Sequence, residues 1–144
     1  MSETTVPEFF QRFPMQAVSF ADLDATLANE AKPLSILFLW GRDCPNCDIA
    51  KQAILSSAAR FHWPEVRWLH GSVYAEPELG THFGPHGIPA FMVFHGTRKL
   101  GRITPWPGPD AFVATIEQQI AKLGVEGGNG SSARTVPGQR RNLQ

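Results

Sequence analysis

Apolar positions along the chain follow two rhythms. Leu34-Ser35-Ile36-Leu37-Phe38-Leu39-Trp40 is almost continuously apolar, which predicts a central strand covered on both faces. Ala90-Phe91-Met92-Val93-Phe94 predicts another strand, and Gly96-Thr97 turns it into a returning strand over Lys99 to Thr104. Shorter strands are expected over Gln16 to Phe20 and Val66 to His70. Between them the spacing becomes helical. Leu23 and Leu27 mark a helix over Ala21 to Ala31; Ile54, Leu55, Ala58 and Phe61 mark the longest one, over Cys47 to Phe61. Glu76 to Phe83 predicts a short helix. Asp110 to Leu123 predicts a closing one, with Phe112, Val113, Ile116, Ile120 and Leu123 on one side.

The segments between these runs are built from residues that interrupt them. Pro33 and Trp63-Pro64 end helices, and Gly84-Pro85-His86-Gly87-Ile88-Pro89 is a loop dense in breakers. Pro105-Trp106-Pro107-Gly108-Pro109 is a stiff connector. Residues 1–15 are an N-terminal extension in which Phe9, Phe10 and Phe13, bounded by Pro7 and Pro14, form a short amphipathic turn that packs on the domain. Residues 16–123 are the domain. Residues 124–144, rich in Gly127, Gly128, Gly130 and Ser131 and poor in apolar side chains, read as a disordered tail.

Composition narrows the function classes. The chain has 144 residues, 42% hydrophobic and 18% charged, with a formal net charge of zero. That balance asks for neither nucleic acid nor an anionic membrane surface. No apolar run approaches the roughly 20 residues needed to span a bilayer. The N-terminus shows no basic region followed by an apolar stretch, so the expected compartment is the cytoplasm. A cysteine pair there is more often catalytic or metal-binding than structural.

Both cysteines lie in Cys44-Pro45-Asn46-Cys47, between the apolar strand and the longest predicted helix. The first N–H groups of a helix lack internal partners, and the helix dipole places partial positive charge there. A thiolate at that point is stabilised and populated near neutral pH. Pro45 suits the first helical turn because it has no N–H to lose. Cys47, one turn along on the same face, can attack a mixed disulfide formed at Cys44. A closed zinc site needs about four ligands. Neither the two cysteines nor the five scattered histidines supply a tight set, so no metal is expected.

In the order of its elements, residues 16–123 resemble the thioredoxin family. Phe38-Leu39-Trp40 precedes the dithiol, Gly87-Ile88-Pro89 stands where that family carries a cis-proline loop, and a hairpin follows. The resemblance implies an α/β thioredoxin fold: a central mixed sheet of about five strands with helices on both faces. It implies thiol–disulfide exchange with protein or peptide substrates, with Cys44 attacking and Cys47 resolving. Trp40, Pro45, Asn46, Ile88 and Pro89 would line or support the substrate groove, with Pro89 cis. It implies no cofactor beyond the redox-active disulfide, a partner reductase, and a monomer.

Departures from the family pattern are specific. Phe38 stands where a buried aspartate is usual, His70 where a lysine often accompanies it, Asp43 where a tryptophan precedes the first cysteine, and Pro105 where a glycine helps docking. The obvious base for Cys47 is therefore gone, and His70 is the candidate acid/base to replace it. Asp43 and Asp48 oppose thiolate formation while Arg42 and the helix terminus favour it. These changes suit a narrow substrate range. They also suit an assembly factor or chaperone on the same fold, with the dithiol secondary. Glutathione-dependent chemistry lacks a matching carboxylate-binding signature in Gly101 to Asp110.

Overall fold

The computed structural model of the protein describes residues 8–29, 32–83 and 87–131. The chain divides into two compact units, Met1–Pro109 and Asp110–Gln144. The first holds helices α1 (Phe9–Arg12), α2 (Leu23–Ala28), α3 (Pro45–Ser56) and α4 (Pro77–Phe83). It also holds strands β1 (Gln16–Ala17), β2 (Leu34–Trp40), β3 (Val66–Ser72), β4 (Ala90–His95) and β5 (Arg98–Ile103).

The strands form one mixed sheet in the order β1-β3-β2-β4-β5. β3 runs parallel to both β1 and β2, while β4 runs antiparallel to β2 and β5. All residues of β2 are buried, as an apolar run without alternation predicts. Its two sets of side chains serve two layers. Leu37 and Leu39 join Leu69, Ala90, Met92 and Phe94 under Leu23 and Leu27 of α2 and Leu79 and Phe83 of α4. On the opposite face Phe38 stacks on Phe91, its register partner, at 4.8 Å and meets Phe9 of α1 edge-on at 6.3 Å. α3 covers this second face beside Trp40. The fold is thus α/β, with helices on both faces of the sheet.

Several elements end earlier than periodicity suggests. β1 ends at Ala17: Val18 N–H still donates to the His70 carbonyl, but beyond it side chains take the backbone donors, Ser19 N–H to Asp22 Oδ1 and Phe20 N–H to Glu76 Oε1. Ser19 Oγ in return accepts the Asp22 N–H, and this reciprocal pair sets the start of α2. The long helix expected over Cys47 to Phe61 is two pieces. α3 ends at Ser56, Ser57 leaves helical geometry, and Ala58–Phe61 tightens into a 3-10 turn. That turn buries Phe61 and offers its carbonyl to the Trp68 indole N–H at 2.8 Å. Helix periodicity cannot anticipate this, because the docking partner lies on another strand.

Phe9 and Phe13 are buried, so the N-terminal aromatic cluster contributes to the core. Trp106, in the connector, meets Phe61 and Phe91. The Ile88–Pro89 and Thr104–Pro105 bonds are both cis. The second unit takes in α5 (Pro109–Ser131) from its second residue, Asp110, and Phe112, Val113 and Ile116 of this helix are buried. α5 passes the boundary expected at residue 123. The remainder of the expected tail, 132–144, lies outside the described residues, as do Pro7, Glu30, Ala31 and 84–86 of the breaker loop.

Candidate active site

The site begins where β2 ends. Asp43 adopts a left-handed conformation, φ 57°, that turns the chain from the strand into α3. Aspartate is among the few non-glycine residues that enter this region readily. Asp43 therefore has a backbone role at this turn. Cys44 is the N-cap of α3 with Pro45 in the first turn, and the Cys44 Sγ accepts the Cys47 N–H at 3.2 Å. One otherwise unpaired helix donor is thus aimed at sulfur, as the sequence predicts.

Cys44 and Cys47 are joined as a disulfide, with Cα atoms 5.2 Å apart. Their exposure differs: Cys44 is half-buried and Cys47 is completely buried. Pro45 and Asn46 are exposed between them.

The distant loop reaches the same place. The Ile88 carbonyl oxygen lies 3.9 Å from Cys44 Sγ, Ile88 is half-buried, and Pro89 is buried. Thr104 Oγ1 donates to the Pro89 carbonyl at 2.8 Å, holding this loop to the end of β5. A Cβ added at Gly41 would stand 2.9 Å from Ile88 Cδ1, the end of a flexible side chain that would have to shift.

Trp40 is buried, and its indole N–H donates to His70 Nδ1 at 3.1 Å. The His70 ring stacks on Phe10 at 3.8 Å. Burial, with the charge of Lys51 second, lowers the His70 pKa from 6.5 to about 4. Such an imidazole is neutral at pH 7 and a weak acceptor for a thiol proton. Arg42, expected to offset the acidic neighbours, sits over the Tyr74 ring at 3.7 Å. Lys51 escaped attention in the sequence, although its place on the buried face of α3, four residues after Cys47, was a visible signal. It is fully buried, with Nζ 4.1 Å from the Trp40 ring centroid. Among the described residues no group of three or more His, Cys, Asp or Glu is placed to hold a metal ion. Among them, too, no helix is long and apolar enough to cross a membrane.

No protein-family model matches the sequence, and no curated protein does. Solved structures do. A mutant thioredoxin from Halobacterium salinarum NRC-1 superposes with a TM-score of 0.58 at 15% identity, over 72% of this chain and 88% of its own. Oxidised mitochondrial thioredoxin 3 from Saccharomyces cerevisiae gives 0.57 at 14% identity, over 78% and 98%. A designed protein gives 0.59 at 18% identity, over 74% and 97%. At these identities the likeness is one of fold.

Proposed function

From a thioredoxin fold carrying a disulfide-capable Cys-x-x-Cys pair, we propose that the protein exchanges disulfides with protein or peptide substrates through Cys44 and Cys47. The reading rests on one observation above the rest: one sulfur of the pair is reachable at a helix start and the other is sealed behind it. In the reduced protein the Cys44 thiolate attacks a substrate disulfide. A bond forms between Cys44 and one substrate sulfur, and the other substrate sulfur leaves and takes a proton. Cys47, as thiolate, then attacks Cys44 Sγ, closing the Cys44–Cys47 bond and releasing the second substrate thiol. The substrate gains two electrons and two protons, and the protein loses them.

Ile88 and cis Pro89 would form one wall of the groove, with the Ile88 backbone available to an extended peptide, and Pro45 and Asn46 the other. Trp40 would support the pair from below. A partner reductase would restore the dithiol, with no further cofactor.

Cys44→Ser is expected to abolish insulin reduction, and Cys47→Ser to accumulate a mixed disulfide with the substrate. Full turnover by the Cys44→Ser protein would overturn the proposal. A binding module or assembly factor would instead keep its partner unchanged in that variant.

A further inference from the structure

Fixing a long side chain costs rotamer entropy, so an exposed arginine held against a ring is already prepared for a ligand. Arg42 is held in this way. Its Cζ lies 3.7 Å from the centroid of the Tyr74 ring, and both residues are exposed, Tyr74 to 51%. A ring attracts the cation without neutralising it. Among the described residues no carboxylate stands within ion-pair distance of the Arg42 guanidinium. Glu76, the acid that follows the Tyr74 turn, is committed elsewhere: its Oε1 accepts the Phe20 N–H at 3.0 Å.

Tyr74 sits on a fastened turn. Ser72, the last residue of β3, is buried, and its Oγ accepts the N–H groups of Tyr74 and Ala75, both at 3.2 Å. Val73 N–H donates to the Trp40 carbonyl at 2.8 Å, which ties the turn to the end of β2. The absent Cβ of Gly41 marks where the segments meet: its place is 3.4 Å from Val73 Cγ2 and 2.9 Å from Ile88 Cδ1. Ile88 in turn brings its carbonyl oxygen 3.9 Å from Cys44 Sγ. Arg42 precedes Cys44 by two residues, so their Cα atoms are at most about 7.6 Å apart. The arginine–tyrosine pair is therefore fixed to the same segments that present the reachable sulfur.

We infer that Arg42, held by Tyr74, selects the substrate: it binds an acidic side chain within about three residues of the substrate cysteine that Cys44 attacks. The inference rests on the exchange reaction proposed above and names the class of peptide that reaction takes.

An extended peptide advances about 3.3–3.6 Å per residue, so three residues cover the separation of the Cys44 and Arg42 backbones. A carboxylate arriving there accepts charge-assisted hydrogen bonds from the guanidinium, and the Tyr74 hydroxyl carries a further donor. A glutamine in the same place brings no charge, and a lysine is repelled. Asp43, exposed next to Arg42, works against an acidic substrate. Solvent screens both charges, and the ring contact fixes the arginine, while among the described residues no contact fixes the Asp43 carboxylate. Asp48 lies within α3, four residues beyond Cys44.

The test uses the full chain and fluorogenic peptide disulfides. Glutamate, glutamine or lysine is placed in turn at each of the three positions on either side of the reactive cysteine. At low salt, kcat/KM for glutamate is expected to exceed that for glutamine about threefold at the best position, with the gain in KM, and lysine is expected to fall below both. Salt at about 0.5 M is expected to erase the preference. Arg42→Gln is expected to bring the glutamate-to-glutamine ratio to about one, and Tyr74→Leu to lower it. Arg42→Glu is expected to invert the preference toward lysine, which a merely structural role would not do. Both positions are exposed, so the variants are expected to fold. A ratio near one at every position in the unsubstituted protein would sink the inference. So would a ratio unmoved by Arg42→Gln or by Tyr74→Leu. Failure of the exchange reading would show separately, as turnover that survives Cys44→Ser or as turnover of none of the peptides.

Discussion

His70 shows how a residue's role is set by what surrounds it. It became a candidate proton carrier for Cys47 because it stands where the resembled family often carries a lysine beside the missing acid. The fold surrounds it with the Trp40 indole and the Phe10 ring, and burial lowers its pKa to about 4. Between about 4 and 6.5 the unfolded chain binds this proton and the folded chain does not. The stability contribution is therefore complete above 6.5 and is lost as pH falls toward 4. Denaturant unfolding at pH 7 and pH 5 is expected to show a lower midpoint at pH 5, and His70→Gln is expected to flatten that difference. The same substitution is expected to leave the pH profile of disulfide reduction in place, because a neutral, weakly basic ring contributes little proton transfer at pH 7. A displaced profile would restore His70 as the acid/base group.

At the scale of elements, β2 is the part of the site most legible beforehand. A run with no polar alternation has one stable location, the middle of a sheet with both faces covered. Phe38 carries that consequence furthest, stacked on Phe91 and edge-on to Phe9 where a carboxylate is usual in the resembled family. Phe38→Ala is expected to cost about 3–5 kcal/mol, read as a fall in the denaturant midpoint. A loss below about 1 kcal/mol would mean that the aromatic layer closes over the gap. The ends of α3 and β1 were less legible. Each depends on a remote acceptor or donor, Phe61 carbonyl for Trp68 and Glu76 carboxylate for Phe20. Local propensity contains neither.

On the scale of the molecule, α1 belongs to the sheet-bearing unit. Phe9 and Phe13 are as buried as strand residues, and Phe10 closes over His70. The Phe9→Ala substitution is expected to destabilise the fold by about 3–5 kcal/mol and to expose His70 through a looser α1. Its imidazole should then titrate nearer 6.5, which proton NMR of the ring would report. If the ring titrated unchanged in a folded Phe9→Ala protein, its burial would not depend on α1.

The sequence alone determined the central strand, the hairpin and the dithiol at a helix start, which follow from short-range pattern: apolar period, breaker residues, and the fixed geometry of a helix N-terminus. That the proline loop belongs beside the dithiol was implied only by the resemblance to a known family. Only the tertiary structure decided which sulfur is reachable, that the Ile88 carbonyl comes to Cys44, and that Lys51 is buried on the same helix as Cys47. Those facts depend on segments far apart in the chain meeting at one place.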